Sequence, residues 1–147
     1  MIRMTELKKS MLAVLKERYP SGYRFYGTEV EEGYEKPSFF TQLIPVMMEN
    51  SAQQVTDNLF LFVITYFQKQ RDETDALEKV SEIQEAYGLK VRVGNRYVNV
   101  TEVSCDFVGN GGNILQIQVT ISYKDQIGKK EEEQERMEIL EWRYKDE

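Results

Sequence analysis

The chain is 147 residues long, 41% apolar and 12% aromatic, with a formal net charge of −6, one cysteine and no histidine. These figures fit a single globular domain and exclude a disordered chain, an internal disulfide, and any catalytic triad or zinc site built on histidine. The charge also argues against specific nucleic acid binding, because a grip on phosphates needs clustered Lys and Arg.

The opening stretch, MIRMTELKKSM, has neither the apolar run nor the small-residue cleavage site of a secretory signal. A helix is predicted over about 5–18, where Leu7, Met11, Val14 and Leu15 share one stripe and Pro20, Ser21 and Gly22 end it. Two aromatic strands follow within GYRFYGTEVEEGYEKPSFF, residues 22–40. Tyr23, Phe25 and residues 28–30 favour extended backbone, and Glu31, Glu32 and Gly33 break it. Pro37 then keeps Lys36 out of the helical region before Phe39 and Phe40 resume the strand, which is expected from about 38 to 47. Residues 49–58, ENSAQQVTDN, read as a polar loop or a strand extension. The run LFLFVITYF, 59–67, is apolar on both faces and predicts a central strand covered on both sides. Its unbroken apolar core is far shorter than the ~20 residues a bilayer requires, so no membrane association is expected.

A second helix is predicted over about 72–87, with Leu77, Val80, Ile83 and Tyr87 on its stripe, Asp72 or Thr74 at its start and Gly88 at its stop. A short strand at 89–93 precedes the turn signal Gly94-Asn95. Strands at 97–108 and 113–124 then flank Gly109, Asn110, Gly111 and Gly112, where Asn-Gly favours a tight hairpin turn. In the second arm Leu115, Ile117, Val119, Ile121 and Tyr123 alternate with Gln116, Gln118, Thr120, Ser122 and Lys124. That is a strand with one buried face and one wet or partner-facing side. Cys105 reads as a small buried hydrophobe.

This order implies an α+β fold: one domain over 1–128, a mainly antiparallel sheet with two helices packed on it and a long hairpin at about 97–124. Residues 129–147 form an acidic C-terminal segment, helix or strand, with a partner-contacting role in view. Within it, 131–147 hold eight acids against Arg136, Arg143 and Lys145. Trp142 stands out there, because an indole in so charged a stretch seeks an apolar surface.

The chain has no phosphate-binding loop, no dinucleotide fingerprint and no calcium loop. Glu29, Glu31 and Glu32 read as turn residues, and no convergent carboxylate pair can be named. No catalytic, cofactor-binding or metal-binding residue is therefore assigned, and a carboxylate-dependent enzyme is the weakest of the function classes. The candidate residues belong to a protein interface instead. Met47 and Met48 offer an adaptable apolar surface, and Gln53 and Gln54 lie in the polar stretch between two aromatic strands. Asn110 sits at the hairpin turn, Gln116 and Gln118 on its wet side, and Trp142 in the tail.

Over most of its length the sequence resembles the phage tail terminator family of tailed phages and prophages of Firmicutes. The residues that carry the likeness begin with Tyr23, Tyr26, Glu32, Gly33, Lys36, Pro37, Phe39 and Phe40. Tyr66-Phe67, the acidic helix at 75–87, and the hairpin arm with Ile114, Leu115 and 119–123 follow in the family's order. Gln68 stands where the family often has proline, and 109–112 replace its usual Asp-Gly turn. The resemblance implies no enzyme and no cofactor. It implies a structural phage, prophage or headless tailocin protein, assembled in the host cytoplasm and then part of the virion or particle. Such a subunit would form a ring, hexameric on the tail, that caps the tail tube, ends tube polymerisation and connects to neck or head-completion proteins. Its partners would be itself, the tube protein and those neck proteins. The competing readings are another tail-completion or neck protein, and an adaptor domain unrelated to phages.

Overall fold

The computed structural model describes residues 1–27 and 33–126. The predicted turn at Glu31 and Glu32 and the acidic segment 129–147, with Trp142, lie outside these residues. Two helices and six strands follow the chain in the order α1 (Met4–Arg18), β1 (Arg24–Tyr26), β2 (Ser38–Ala52), β3 (Val55–Phe67), α2 (Glu73–Tyr87), β4 (Lys90–Val93), β5 (Arg96–Val108) and β6 (Ile114–Gln126). The strands form one mixed sheet in the order β1-β2-β3-β6-β5-β4, so the domain is α+β, as expected.

Both helices pack on one face of that sheet. Leu7, Met11 and Leu15 of α1 and Ala76, Ile83 and Tyr87 of α2 are buried against Phe39, Phe60, Phe62, Ile64, Leu115, Ile117 and Ile121. The Tyr87 hydroxyl donates to the Met11 carbonyl at 2.7 Å, so the one polar atom of this large buried ring is satisfied where the helices meet. The Asp72 carboxylate caps α2 by accepting from the Thr74 and Asp75 amides, and Gly88 ends the helix at φ 60°.

The inward stripe of α2 is rotated from the expected one. It runs Ala76, Lys79, Ile83 and Tyr87, and Leu77 is 54% exposed. The expected cover on both sides of β3 is also absent among the described residues. Positions 56, 58, 60, 62, 64 and 66 face the helices, whereas on the opposite face Val63 is buried and Leu59, Leu61 and Thr65 are half-buried. Phe40, Phe67, Tyr26 and Tyr34 cluster on that open face through ring contacts of 5.0–6.4 Å, and Phe39, Phe60, Phe62 and Tyr66 take the core positions.

Further findings concern connections and coverage. Of the two readings of 49–58, the strand extension holds: β2 runs to Ala52, β3 begins at Val55, and Gln53-Gln54 make the turn. The two aromatic strands pair in parallel, Phe25 beside Phe39. At the other end of the sheet β5 and β6 close at Val108 and Ile114, so the connection is 109–113, one residue longer than the expected 109–112. Gly109 is required there, because φ is 85° and a Cβ would sit 2.8 Å from Ile114 Cδ1. Cys105 is exposed and not buried. It lies beside Ile117 near the end of β5, where Phe107 is also exposed.

Candidate functional site

The distinctive surface of this fold is a β-arm. It is the outer end of the β2–β3 hairpin, with Met48 opposite Asn58, Glu49 opposite Asp57 and Ala52 opposite Val55, and with β6 alongside β3 as far as Gln126. Every residue from Pro45 to Gln53 is exposed, including Val46 at 50%, Met47 at 45% and Met48 at 54%. Three consecutive large apolar side chains in water on an edge strand are unfavourable for an isolated monomer and typical of a contact surface. The strand forms because β-branched and aromatic residues in β3 supply the pairing template, and β6 extends the same ladder to Gln126 opposite Val55.

A polar knot anchors the arm beside its turn. Asp125 accepts from the Ile2 amide at 2.6 Å, from Arg96 Nη1 at 2.7 Å and from the Gln126 amide at 2.9 Å. Thr56 Oγ1 donates to the Asp125 carbonyl, and Asn58 Nδ2 donates to Thr56 Oγ1 at 3.1 Å. Burial alone would raise the Asp125 pKa, but these amide and guanidinium donors outweigh it and hold the carboxyl below its usual range. The arm is thereby tied to the N-terminal residues, β5 and β6.

A second polar cluster holds the helices to the opposite end of the sheet. Lys79, almost fully buried, lies 3.0 Å from Asp75 and 3.8 Å from Glu82, and its ammonium sits 5.1–5.5 Å from the ring centres of Tyr19, Tyr23 and Tyr66. Tyr66 donates to Asp75 at 2.6 Å and Tyr19 to Glu82 at 2.5 Å. Burial would lower the Lys79 pKa, yet Tyr23 and Asp75 raise it above the ordinary lysine value. A lysine held protonated in this way is a structural cation and no nucleophile. The signal for it was present in the sequence: Lys79 falls at i+3 from Ala76 and i−4 from Ile83, on the inward stripe.

The expected interface residues separate into three places. Met47, Met48, Gln53 and Gln54 gather on the arm, with Gln54 at φ 65° in its turn. Asn110 is exposed at the far end of the sheet, in the β5–β6 connection. Gln116 and Gln118 are half-buried in the middle of the helix-free face, opposite Thr65 and Val63. Trp142 lies outside the described residues. Sequence reasoning missed Val46, whose apolar neighbour pair Met47-Met48 was the available cue, and the two charged sheet edges described below.

Nothing in the described residues assembles a reaction centre. No group of three acidic or cysteine side chains is placed to hold a metal ion there. An open groove of about 500 Å³ beside β1 is lined by Lys16, Tyr23, Arg24, Phe25, Tyr26 and Glu35, and its two strongest charges, Arg24 and Glu35, neutralise each other at 2.9 Å. No helix among the described residues is long and apolar enough to cross a membrane.

What the geometry offers is contact, and the family comparison agrees. The model of the phage tail terminator protein family matches residues 6–135, which takes in both helices and all six strands. The chain belongs to the phage tail terminator family. It is therefore a structural component of a phage tail or tail-like particle, in a family of assembly proteins that work through contacts with other virion proteins. A solved structure has the same fold at a TM-score of 0.52 and 12% identity, over 84% of this chain and 92% of that one. At that identity the likeness speaks for the fold alone. No curated protein matches the sequence.

Proposed function

We propose that this tail terminator caps the tail tube as a closed ring of identical subunits, a hexamer on the tail, and so ends tube polymerisation. The observation that carries the reading is that, among the described residues, the sheet has two unlike edges left largely unpaired. β1 covers β2 only at Ser38, Phe39 and Phe40, and β4 covers β5 only at 96–99. Two different free edges on opposite sides of one subunit favour head-to-tail contacts, and a head-to-tail contact either closes into a ring or runs on as a filament.

The two ends of the sheet then face the two axial neighbours. The arm with Met47, Met48, Gln53 and Gln54 is the tube-facing surface in this reading, and the Asn110 end meets the neck or head-completion protein. Hairpin 97–124 contributes less to subunit pairing than its length suggests, because β6 is already flanked by β3 and β5. The centre of the open face, with uncharged Gln116 and Gln118, suits a wall past which DNA slides, since neither side chain holds phosphates as clustered Lys and Arg would. The acidic segment 129–147 acts as an appendage of the 1–128 domain that touches a partner. Assembly takes place in the host cytoplasm, and the subunit leaves in the particle.

Electron microscopy of tails made with and without this protein tests the reading. Tubes of uncontrolled length in its absence are the expected result. Tubes of normal, uniform length without it would overturn the capping role and favour a neck or tail-completion protein.

A further inference from the structure

We infer that neighbouring copies in this ring join through the β2 edge at Glu49 of one copy and the β4 edge at Lys90 and Arg92 of the next; the inference rests on the ring reading above. The register places these groups at one level of the sheet. Arg92 lies opposite Tyr97, Lys124 opposite Asp57, and Asp57 opposite Glu49, all on the helix-free face. One end of this row is basic, with Lys90 and Arg92 exposed, and the other is acidic, with Glu49 exposed beside Asp57. In the middle Lys124 and Asp57 pair at 3.6 Å. Among the described residues Glu49, Lys90 and Arg92 form no salt bridge.

The remaining charges near the two edges leave this polarity intact. Arg92 Nε donates to the Gly94 carbonyl and so keeps its charge, and Lys90 stacks over the Tyr97 ring at 4.5 Å. Arg96 is committed to Asp125. Glu6 lies beside Gly94 past the end of β4, and Glu102 lies further along β5.

Length and apolar surface match as well. Register shifts between Pro45 and Met47 and between Asn50 and Ala52 leave 47–50 as an uninterrupted ladder of four residues, and β4 is four residues long. Pro45 and the bulge blunt the β2 edge above that stretch, as edge strands commonly do. Val46, Met47 and Met48 are exposed on one side, Leu89 at 85% and Tyr97 at 53% on the other. The successive antiparallel pairings make β2 and β4 run in the same direction, so copies related by rotation about an axis along the strands meet edge to edge in parallel.

Charge selects this join over its rivals. Joining β2 to β2 sets Glu49 against Glu49, and joining β4 to β4 sets Lys90 and Arg92 against their own kind. Only the unlike join brings opposite charges together, and it leaves each copy one free edge of each kind, which is what a ring consumes.

A charge swap in the full chain tests it, read as ring formation on purified tube protein at low salt. Glu49→Lys alone and the pair Lys90→Glu/Arg92→Glu alone are each expected to raise the concentration needed for half-assembly at least about tenfold, because like charges then face each other. All three changes in one chain, or an equal mixture of the two variants, restore assembly. Far-ultraviolet circular dichroism confirms that each variant keeps its sheet. Unchanged assembly of both variants overturns this contact and leaves the ring standing. Loss in both without recovery in the combined chain overturns the charge pairing. Absence of rings from the unmodified protein on its tube overturns the ring reading and this contact with it.

Discussion

Lys79 Nζ lies 3.0 Å from Asp75 Oδ1, one helical turn away, inside a cage closed by Tyr19, Tyr23 and Tyr66. The pair joins the C-terminus of α1, the approach to β1 and the end of β3 to α2. Replacing the lysine by an apolar residue of similar length leaves Asp75 against tyrosine rings without its cation, while Glu82 keeps the Arg18 cation at 3.5 Å. Lys79→Met is therefore expected to lower stability by about 2 kcal/mol, less than for a wholly buried pair because Asp75 is partly solvated. Urea midpoints at constant m-value check it, and a change within experimental scatter would show that the cage contributes no net stability.

Asp75 and Asp125 both have folded-state pKa values below their ordinary ones. For each, burial acts in the opposite direction and is outweighed, by Tyr66, Gln68 and Lys79 for Asp75 and by the Ile2 and Gln126 amides and Arg96 for Asp125. A carboxyl with a depressed folded pKa adds stability that is fully present above its unfolded pKa of about 3.9 and is lost as pH falls towards the folded value. Unfolding free energy should thus be flat near neutrality and fall below about pH 5. Asp125→Asn should be less stable at neutral pH and show a shallower acid slope. An unaltered slope would show that Asp125 does not carry this linkage.

Gln54 holds φ at 65° in the tip of the arm, in the left-handed region that a side chain disfavours. Gln54→Gly is expected to raise stability by about 0.5 kcal/mol, the relief of strain being partly offset by glycine's greater freedom in the unfolded chain. Thermal unfolding of the two proteins compares them, and a lower midpoint for the glycine variant would contradict the turn geometry.

Cys105 is exposed on β5 and should react with a thiol reagent in the folded protein, one equivalent per chain, without denaturant. A thiol that reacts only after unfolding would place the β5 corner under cover.

Met47 and Met48 are exposed, and their contribution to the isolated fold is small. Met47→Ser with Met48→Ser should change unfolding free energy by no more than about 0.5 kcal/mol while sharply weakening tube capping. A large loss of stability, or unchanged capping, would remove the arm from the contact surface.

Much of the fold was written in local pattern. The α1 stripe of Leu7, Met11 and Leu15, the Asp72 cap and Gly88 stop of α2, and the alternation along β6 all appear where residue spacing puts them. The positions that resisted reading depended on neighbours far along the chain. Leu77 and Lys79 both lie within a turn of the α2 stripe, and an apolar reading favours Leu77. Lys79 turns inward because Tyr19, Tyr23, Tyr66 and two carboxylates, contributed from four parts of the chain, make a site for its charge. Cys105 has a strand environment in sequence, and only the tertiary structure decides that it stays exposed.

The interface residues divide along the same line. Composition and motif order by themselves pointed to a structural tail protein of the terminator family, because the aromatic strands, the acidic helix and the hairpin arm follow in the family's order and histidine is missing. Which surface is available was decided by the sheet: strand order buries β6 in the middle, leaves β2 beyond Phe40 and β4 as edges among the described residues, and sets Glu49 and Arg92 at opposite ends of one row. Strand pairing is a long-range choice made by packing of the whole core, so no window of sequence contains it.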